Sequence, residues 1–155
     1  MTASNHTLTG VLIGLAVPVP LVALPLAFAS HFALDALPHY EMLDFESKNS
    51  QAKFKWILLA DAAVMASILL FIILSQPAHW PLLIACGLLA ASPDLMWLPG
   101  YISLQTGGVY QNKIYRSKLG QFHTKLGKYA NPKGWMFEAP YFLVALGLLI
   151  TNLHG

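Results

Sequence analysis

Residues 9–37, TGVLIGLAVPVPLVALPLAFASHFALDAL, form the apolar run that decides the fold. The run is longer than the ~20 residues that a helix needs to cross the hydrocarbon of a bilayer. Pro18, Pro20 and Pro25 interrupt it, and a proline inside a helix removes a backbone hydrogen bond and bends the chain. We therefore predict that this run is a first membrane span whose helix is kinked or broken.

Three further apolar runs have the length of single spans, at residues 54–74, 80–98 and 135–153. Hydrophobic residues make up 56% of the 155 residues and charged residues only 10%, whereas a soluble domain carries about a quarter charged residues. We predict an all-α integral membrane protein, with a single transmembrane domain over residues 1–155 and four transmembrane helices.

The basic residues predict how these spans are oriented. All nine Lys and Arg residues fall in or beside the connecting segments 41–53 and 99–134. Four spans place both segments on one side and both termini on the other. Because basic loops stay in the cytoplasm, we predict cytoplasmic loops and external termini.

The second connecting segment contains an amphipathic pattern at 112–129. Its larger apolar side chains fall on one helical face, with lysines largely opposite; they are Tyr115, Leu119, Phe122, Leu126 and Tyr129. We predict a helix on the cytoplasmic membrane surface, with its lysines toward anionic headgroups.

Each predicted span carries one carboxylate near the cytoplasmic end: Asp35, Asp61, Asp94 and Glu138. The histidines His31, His39 and His123 belong to the same side. An ionisable group at the middle of a span costs roughly 2.5–3.5 kcal/mol, so these groups need a shared partner. No Lys or Arg lies deep in a span, and carboxylate and imidazole together suit a divalent metal ion.

The spacing of His31, Asp35 and His39 leaves two arrangements open. Residues four apart share a helical face, but His31 and His39 would lie about 12 Å apart in a continuous helix. Either Pro38 ends the helix and turns His39 back, or Asp35 bridges two metal ions with one histidine on each.

Structural roles are open for the same carboxylates. Asp94 follows Ser92 and Pro93 in the first turn of a helix that Ser92 can cap. Asp61 can accept an interhelical hydrogen bond, and Glu138 near the start of its span is favoured by the helix dipole.

The motifs SHFALDALPHY (30–40) and AASPDLMW (90–97) resemble the YdjM-type family of inner-membrane metal-dependent hydrolases. The segment FHTKLGKYANPKGWMFEAP (122–140) is similar to one in small bacterial relatives, with His123 and Glu138 in matching places. More distantly, HFALDALPH resembles a His-x3-Asp segment of zinc-dependent phospholipase C and related zinc nucleases. That resemblance implies that His31 and Asp35 bind zinc in a phosphoester-cleaving cluster, with His39 as a third ligand.

The predicted function is therefore a metal-dependent hydrolase of a lipid phosphoester, in which the metal lowers the pKa of a bound water. The expected ligands are His31, Asp35, His39, Asp94 and Asp61. Glu138 and His123 are expected to serve as ligand or general acid/base. Zinc is the expected metal, with manganese or magnesium as alternatives. A site with two or more ions is one of the arrangements that stay open.

Membrane lipid is the expected environment and substrate, nucleic acid is not an expected partner, and a homo-oligomer stays open. Two alternatives compete with the hydrolase. A metal-ion or proton transport protein would use the same residues as a path, although the spans beyond Asp61 carry no charged residue toward the outer side. A non-catalytic membrane scaffold would bind no metal.

Overall fold

The computed structural model describes residues 1–40, 48–99, 102 and 117–154. This part of the chain folds into six α-helices and contains no β-strand. They are α1 (Ala3–Ala16), α2 (Pro20–Asp35), α3 (Lys48–Ser75), α4 (Trp80–Ala91), α5 (Lys118–Leu126) and α6 (Trp135–His154). A 3₁₀ helix, Ser92–Trp97, continues α4, and a short one, Gly127–Tyr129, follows α5. The predicted all-α class is confirmed for these residues.

The first apolar run is broken into two helices, which is one of the two predicted forms, and these helices do not make a single span. α1 ends at Ala16, and α2 begins at Pro20 after an extended linker. The prolines explain the break, because a residue that precedes proline is driven out of the helical region and Pro20 suits the first turn of a new helix. Pro25, by contrast, lies inside α2 without ending it.

The two helices form a hairpin that returns the chain to its starting end. The amino group of Met1 donates a hydrogen bond to Asp35 Oδ1 at 2.7 Å, and the ring of His6 stacks on that of His31. The predicted placement of the N-terminus opposite Asp35 is therefore wrong. Because α6 starts beside this end and leads away from it, the predicted placement of both termini on one side is wrong as well.

α1 is the central helix, since it packs against α2, α3, α4 and α6. An apolar cluster fills the space between α1, α3, α4 and α6: Leu8, Val11, Ile68, Ile72, Leu83, Ala145 and Leu149. Small residues bring α1 and α4 together. A Cβ on Gly10 would collide with the carbonyl group of Cys86, so this close approach requires glycine, as in membrane helix pairs with glycines four residues apart.

Among the described residues, two helices are long and apolar enough to cross a membrane. They supply the segments Ser50–Ser75 of α3 and Trp135–Leu153 of α6, and little of either is buried inside the protein. α1, α2 and α4 have 14, 16 and 12 residues, which is short of the ~20 needed.

The other boundaries follow the prediction closely. α3 starts at Lys48, ahead of the predicted residue 54, and α6 spans the predicted run. α5 occupies 118–126 of the predicted surface helix at 112–129, and residues 112–116 lie outside the described part of the chain.

Candidate metal centre

Asp61 of α3 caps the N-terminus of α1. Its Oδ2 accepts the backbone N–H of Ala3 at 2.7 Å, and its Oδ1 accepts that of Ser4 at 3.1 Å. The first N–H groups of a helix have no partner within the helix, and they form the positive end of the helix dipole. Both oxygens of Asp61 are therefore used by α1, and Asp61 is not among the side chains that are grouped closely enough to share a metal ion.

Glu138 of α6 is bound by backbone groups from two other parts of the chain. Its Oε2 accepts the N–H of Thr2 at 3.0 Å and the side-chain amide of Asn5 at 3.3 Å. Its Oε1 accepts the N–H of Tyr40 at 2.7 Å. Glu138 is buried, so this carboxylate ties α1 and the segment after α2 to the start of α6.

His39 also lies outside the converging group. Pro38 does turn the chain, but the backbone of His39 then pairs with the turn before α6, where its carbonyl accepts the N–H of Asn131 at 2.9 Å. Its Nδ1 lies 2.9 Å from the carbonyl oxygen of Leu37. A Cβ on Gly134 would collide with the backbone of His39, which shows how closely the two segments pack.

Four side chains converge beside these capping carboxylates. His6 of α1, His31 and Asp35 of α2, and Asp94 of the 3₁₀ helix after α4 each place one potential ligand atom within 4.8 Å of the others. His6, His31 and Asp35 are buried. This His–Asp group contains three of the predicted residues and adds His6, which the sequence interpretation left out.

His123 of α5 completes the group from the side. Its Nε2 lies 3.0 Å from Nε2 of His31 and 3.1 Å from Oδ2 of Asp35. It also lies 3.7 Å from Oδ1 of Asp94. Predicted as a ligand or a general acid/base, His123 is placed by the structure among the potential ligands.

The spacing of these atoms suits a metal ion. Ligands at 2.0–2.1 Å from a tetrahedral ion are separated by roughly 3.3–3.4 Å, and those of an octahedral ion by roughly 3.0 Å at the closest. The nitrogen–oxygen distances between the histidines and the two aspartates run from 3.1 to 3.8 Å.

The hydrogen bonding of the histidines fits the same interpretation. Nδ1 of His31 lies 2.9 Å from the carbonyl oxygen of Ala90, so Nδ1 carries the proton and Nε2 presents its lone pair to the group. His6 is fully buried, and within the part of the chain that the structure describes neither of its ring nitrogens makes a hydrogen bond of acceptable geometry. A buried polar atom without a partner is costly, and a metal ion would satisfy Nε2 of His6.

Two groups of the cluster have shifted pKa values, and both lie outside the two helices that are long enough to span a membrane. Burial lowers the pKa of His6 because the imidazolium loses its hydration. Burial acts to raise the pKa of Asp35, but the adjacent nitrogens of His123, His31 and His6 outweigh it and the pKa is lowered. Neutral imidazole and ionised carboxylate are the forms that bind metal.

The structure thus divides the predicted site residues. It brings together His31, Asp35, Asp94 and His123, and it places Asp61, His39 and Glu138 in structural contacts outside the group. His6 was missed because a single first span puts it at the opposite end. The two prolines at 18 and 20 were the signal for a hairpin that would have returned it.

No known protein family model matches this chain, and neither a curated protein nor a solved structure gives a match. The resemblance to the YdjM-type family stays a prediction, and function has to be inferred from the fold and the His–Asp group.

Proposed function

We propose that this chain is a membrane-embedded, metal-dependent hydrolase that cleaves a lipid phosphoester at the cytoplasmic face of a bacterial inner membrane. The observation that carries the proposal is the convergence of imidazole nitrogens and carboxylates in the bundle interior. His6, His31, Asp35, Asp94 and His123 would hold a divalent metal ion there, with zinc the best match to this ligand set. The chemistry such an ion would supply is a lowered pKa of bound water, which would make that water a nucleophile at neutral pH. In the overall reaction the water oxygen bonds to phosphorus, the ester P–O bond breaks, and the leaving oxygen departs with a proton.

The outer surface of the bundle supports a location in the membrane. Exposed large apolar side chains occur along the helices, and Leu21 on α2, Leu74 on α3 and Leu143 on α6 are each more than two-thirds exposed. A soluble protein rarely exposes so much contiguous apolar surface. In this proposal α3 and α6 cross the bilayer, and the shorter helices pack against them.

The depth of the His–Asp group supports a lipid substrate. Asp61, which caps α1 beside the group, lies six residues after Lys55 in α3, or roughly 9 Å farther along the helix axis. If Lys55 lies at headgroup level, as the positive-inside rule indicates, the group lies just below that level. A phosphoester at the lipid headgroup is then close to the site.

The exposure of the ligands indicates where a substrate would approach. The side chains of His6 and His31 are fully buried, whereas those of His123 and Asp94 are 13% and 19% exposed. The open edge of the group is therefore the one formed by His123 and Asp94. α5, which carries His123, also carries the exposed Lys118 and Lys125, whose charge favours an anionic headgroup.

Packing beyond the group argues against transport. The apolar cluster that includes Leu8, Ile72 and Leu149 lies farther along the bundle, and its side chains are almost fully buried. An ion that entered at the His–Asp group would meet closely packed hydrocarbon. We therefore favour chemistry at one membrane face over a path through the bundle.

The test combines metal content with turnover. The full chain is purified without a histidine tag, reconstituted in vesicles, and analysed for metal and for hydrolysis of phospholipid, phosphatidic acid and polyprenyl phosphate. We expect stoichiometric metal and metal-dependent release of headgroup or phosphate, with the metal content lowered and the release lost in His31→Ala. The matched control is His79→Asn, since His79 lies in the turn before α4 with a φ of 59° that asparagine tolerates.

Absence of stoichiometric metal from the wild-type chain would overturn the proposal. So would bound metal without hydrolysis of any of the three lipids. Ion flux into vesicles without turnover would establish the transport alternative instead.

A further inference from the structure

Asp35 and Asp94 each face histidines with both carboxylate oxygens. Oδ1 of Asp35 lies 3.2 Å from Nε2 of His6, and Oδ2 lies 3.1 Å from Nε2 of His31 and of His123. Asp94 repeats the pattern: Oδ2 lies 3.8 Å from His6, and Oδ1 lies 3.6 Å from His31 and 3.7 Å from His123. The group therefore has a His6 side and a His31/His123 side, and both aspartates connect them.

The rings of His6 and His31 are stacked, with centroids 4.0 Å apart and planes 23° from parallel. The lone pair of an imidazole nitrogen lies in the plane of its ring, so the lone pairs of the two stacked rings lie in two separate, nearly parallel planes. Two such lone pairs do not meet at one point about 2 Å from each nitrogen, as a shared zinc ion would require. They meet two separate points, one in the plane of each ring.

We propose that the site holds two divalent metal ions, bridged by Asp35 and Asp94. His6 and one oxygen of each aspartate bind the first ion. His31, His123 and the other oxygen of each aspartate bind the second. This inference rests on the proposed function, because it specifies the metal content of the same site. The 4.0 Å stacking distance agrees with the 3.5–4 Å between ions in two-metal phosphoesterases.

The distances fit both positions. On the His31/His123 side, the two Nε2 atoms lie 3.0 Å apart, and their distances to the aspartate oxygens run from 3.1 to 3.7 Å. Those values bracket the edges of roughly 3.3–3.4 Å in a tetrahedral zinc site. His31 and His123 are tilted by 30°, and their Nε2 atoms are closer than their ring centroids, at 5.1 Å, so these two rings do converge.

The His6 side has three ligands from side chains, which leaves a coordination position for water or substrate, as in catalytic zinc sites. One competing arrangement has to be separated by experiment. The Met1 amino group lies 2.7 Å from Oδ1 of Asp35. In the competing arrangement this positive charge takes the place of the metal ion on the His6 side. That arrangement binds one metal ion per chain, and the proposed arrangement binds two.

Manganese binding and electron paramagnetic resonance test the proposal on the full chain in detergent or nanodiscs. We expect saturation at two Mn²⁺ per chain, with an exchange-coupled spectrum in place of the spectrum of isolated ions. His6→Ala is expected to bind one Mn²⁺ with the spectrum of an isolated ion, while His79→Asn retains two coupled ions. Thermal unfolding of the metal-free variants identifies any loss that reflects misfolding.

The wild-type measurement decides the proposal without any variant. Saturation at one ion per chain, or two ions without exchange coupling, would overturn the two-metal site and leave the proposed hydrolase standing. No binding of Mn²⁺, and none of Zn²⁺ by direct analysis, would overturn both.

Discussion

Replacement of Asp61 by asparagine separates a capping carboxylate from a metal ligand. In the structure, Asp61 accepts the N–H groups of Ala3 and Ser4, one with each oxygen. Asparagine has nearly the same shape, but it keeps a single acceptor oxygen and no charge. The variant therefore weakens the cap of α1 and leaves the His–Asp group intact.

The size of the effect follows from two losses. A hydrogen bond to a charged acceptor contributes about 1.5–3 kcal/mol, and a charge at a partly buried helix terminus contributes up to ~2 kcal/mol. The two overlap, because the same carboxylate supplies both. We expect Asp61→Asn to lower the free energy of unfolding by about 2 kcal/mol, and Asp61→Ala, which removes both acceptors, by about 3 kcal/mol.

The assay is reversible unfolding of the metal-free chain in mixed micelles, followed by metal analysis of the folded variants. We expect Asp61→Asn and Asp61→Ala to bind as much metal per folded chain as the wild type. Unchanged stability together with loss of metal would refute the assignment, since that outcome identifies Asp61 as a ligand.

Four further substitutions test the helix packing and the role of Glu138. Gly10→Ala forces a Cβ into the carbonyl of Cys86 and should lower the free energy of unfolding by about 1–3 kcal/mol. Gly147→Ala is the control: no described residue lies within 4 Å of the added Cβ, so this change should raise the free energy of unfolding by about 0.5–1 kcal/mol. Gly134→Ala should destabilise at least as much as Gly10→Ala in the same measurement, because its Cβ would meet the backbone of His39; a neutral effect would show that the two segments do not pack as described. Glu138→Gln should lower stability by about 2 kcal/mol through its lost acceptor with kcat per folded chain little changed; a hundredfold fall in kcat at unchanged stability would instead restore Glu138 as a general acid/base.

Helix positions followed from the sequence wherever an apolar run had the length of one helix. α6 begins at the predicted residue, Trp135, and α4 with its 3₁₀ extension ends one residue before the predicted limit. The run at 9–37 was different, because its length accommodates either one kinked span or two short helices. Composition does not separate these alternatives, since residues 10–29 are apolar on both sides of the break.

Convergence of Asp35 and Asp94 was foreseeable from their position near one end of their runs. The partners of Asp61 and Glu138 were not, because most of them are backbone N–H groups, from the start of α1 and from Tyr40. An inventory of side chains contains no such donors, so the four carboxylates seemed to need one shared cation. The hairpin of α1 and α2 provides backbone partners for Asp61 and Glu138. It also brings His6 beside Asp35 and Asp94.

X-ray absorption spectroscopy of the zinc-loaded chain tests the central claim most directly, because it reports which atoms surround the metal. The structure predicts a shell of nitrogen and oxygen at about 2.0–2.1 Å, with outer-shell scattering from the imidazole rings of His6, His31 and His123. Loss of part of the imidazole scattering in His6→Ala would place the first helix in the site. A shell of oxygen alone, or imidazole scattering unchanged by His6→Ala, would contradict the account.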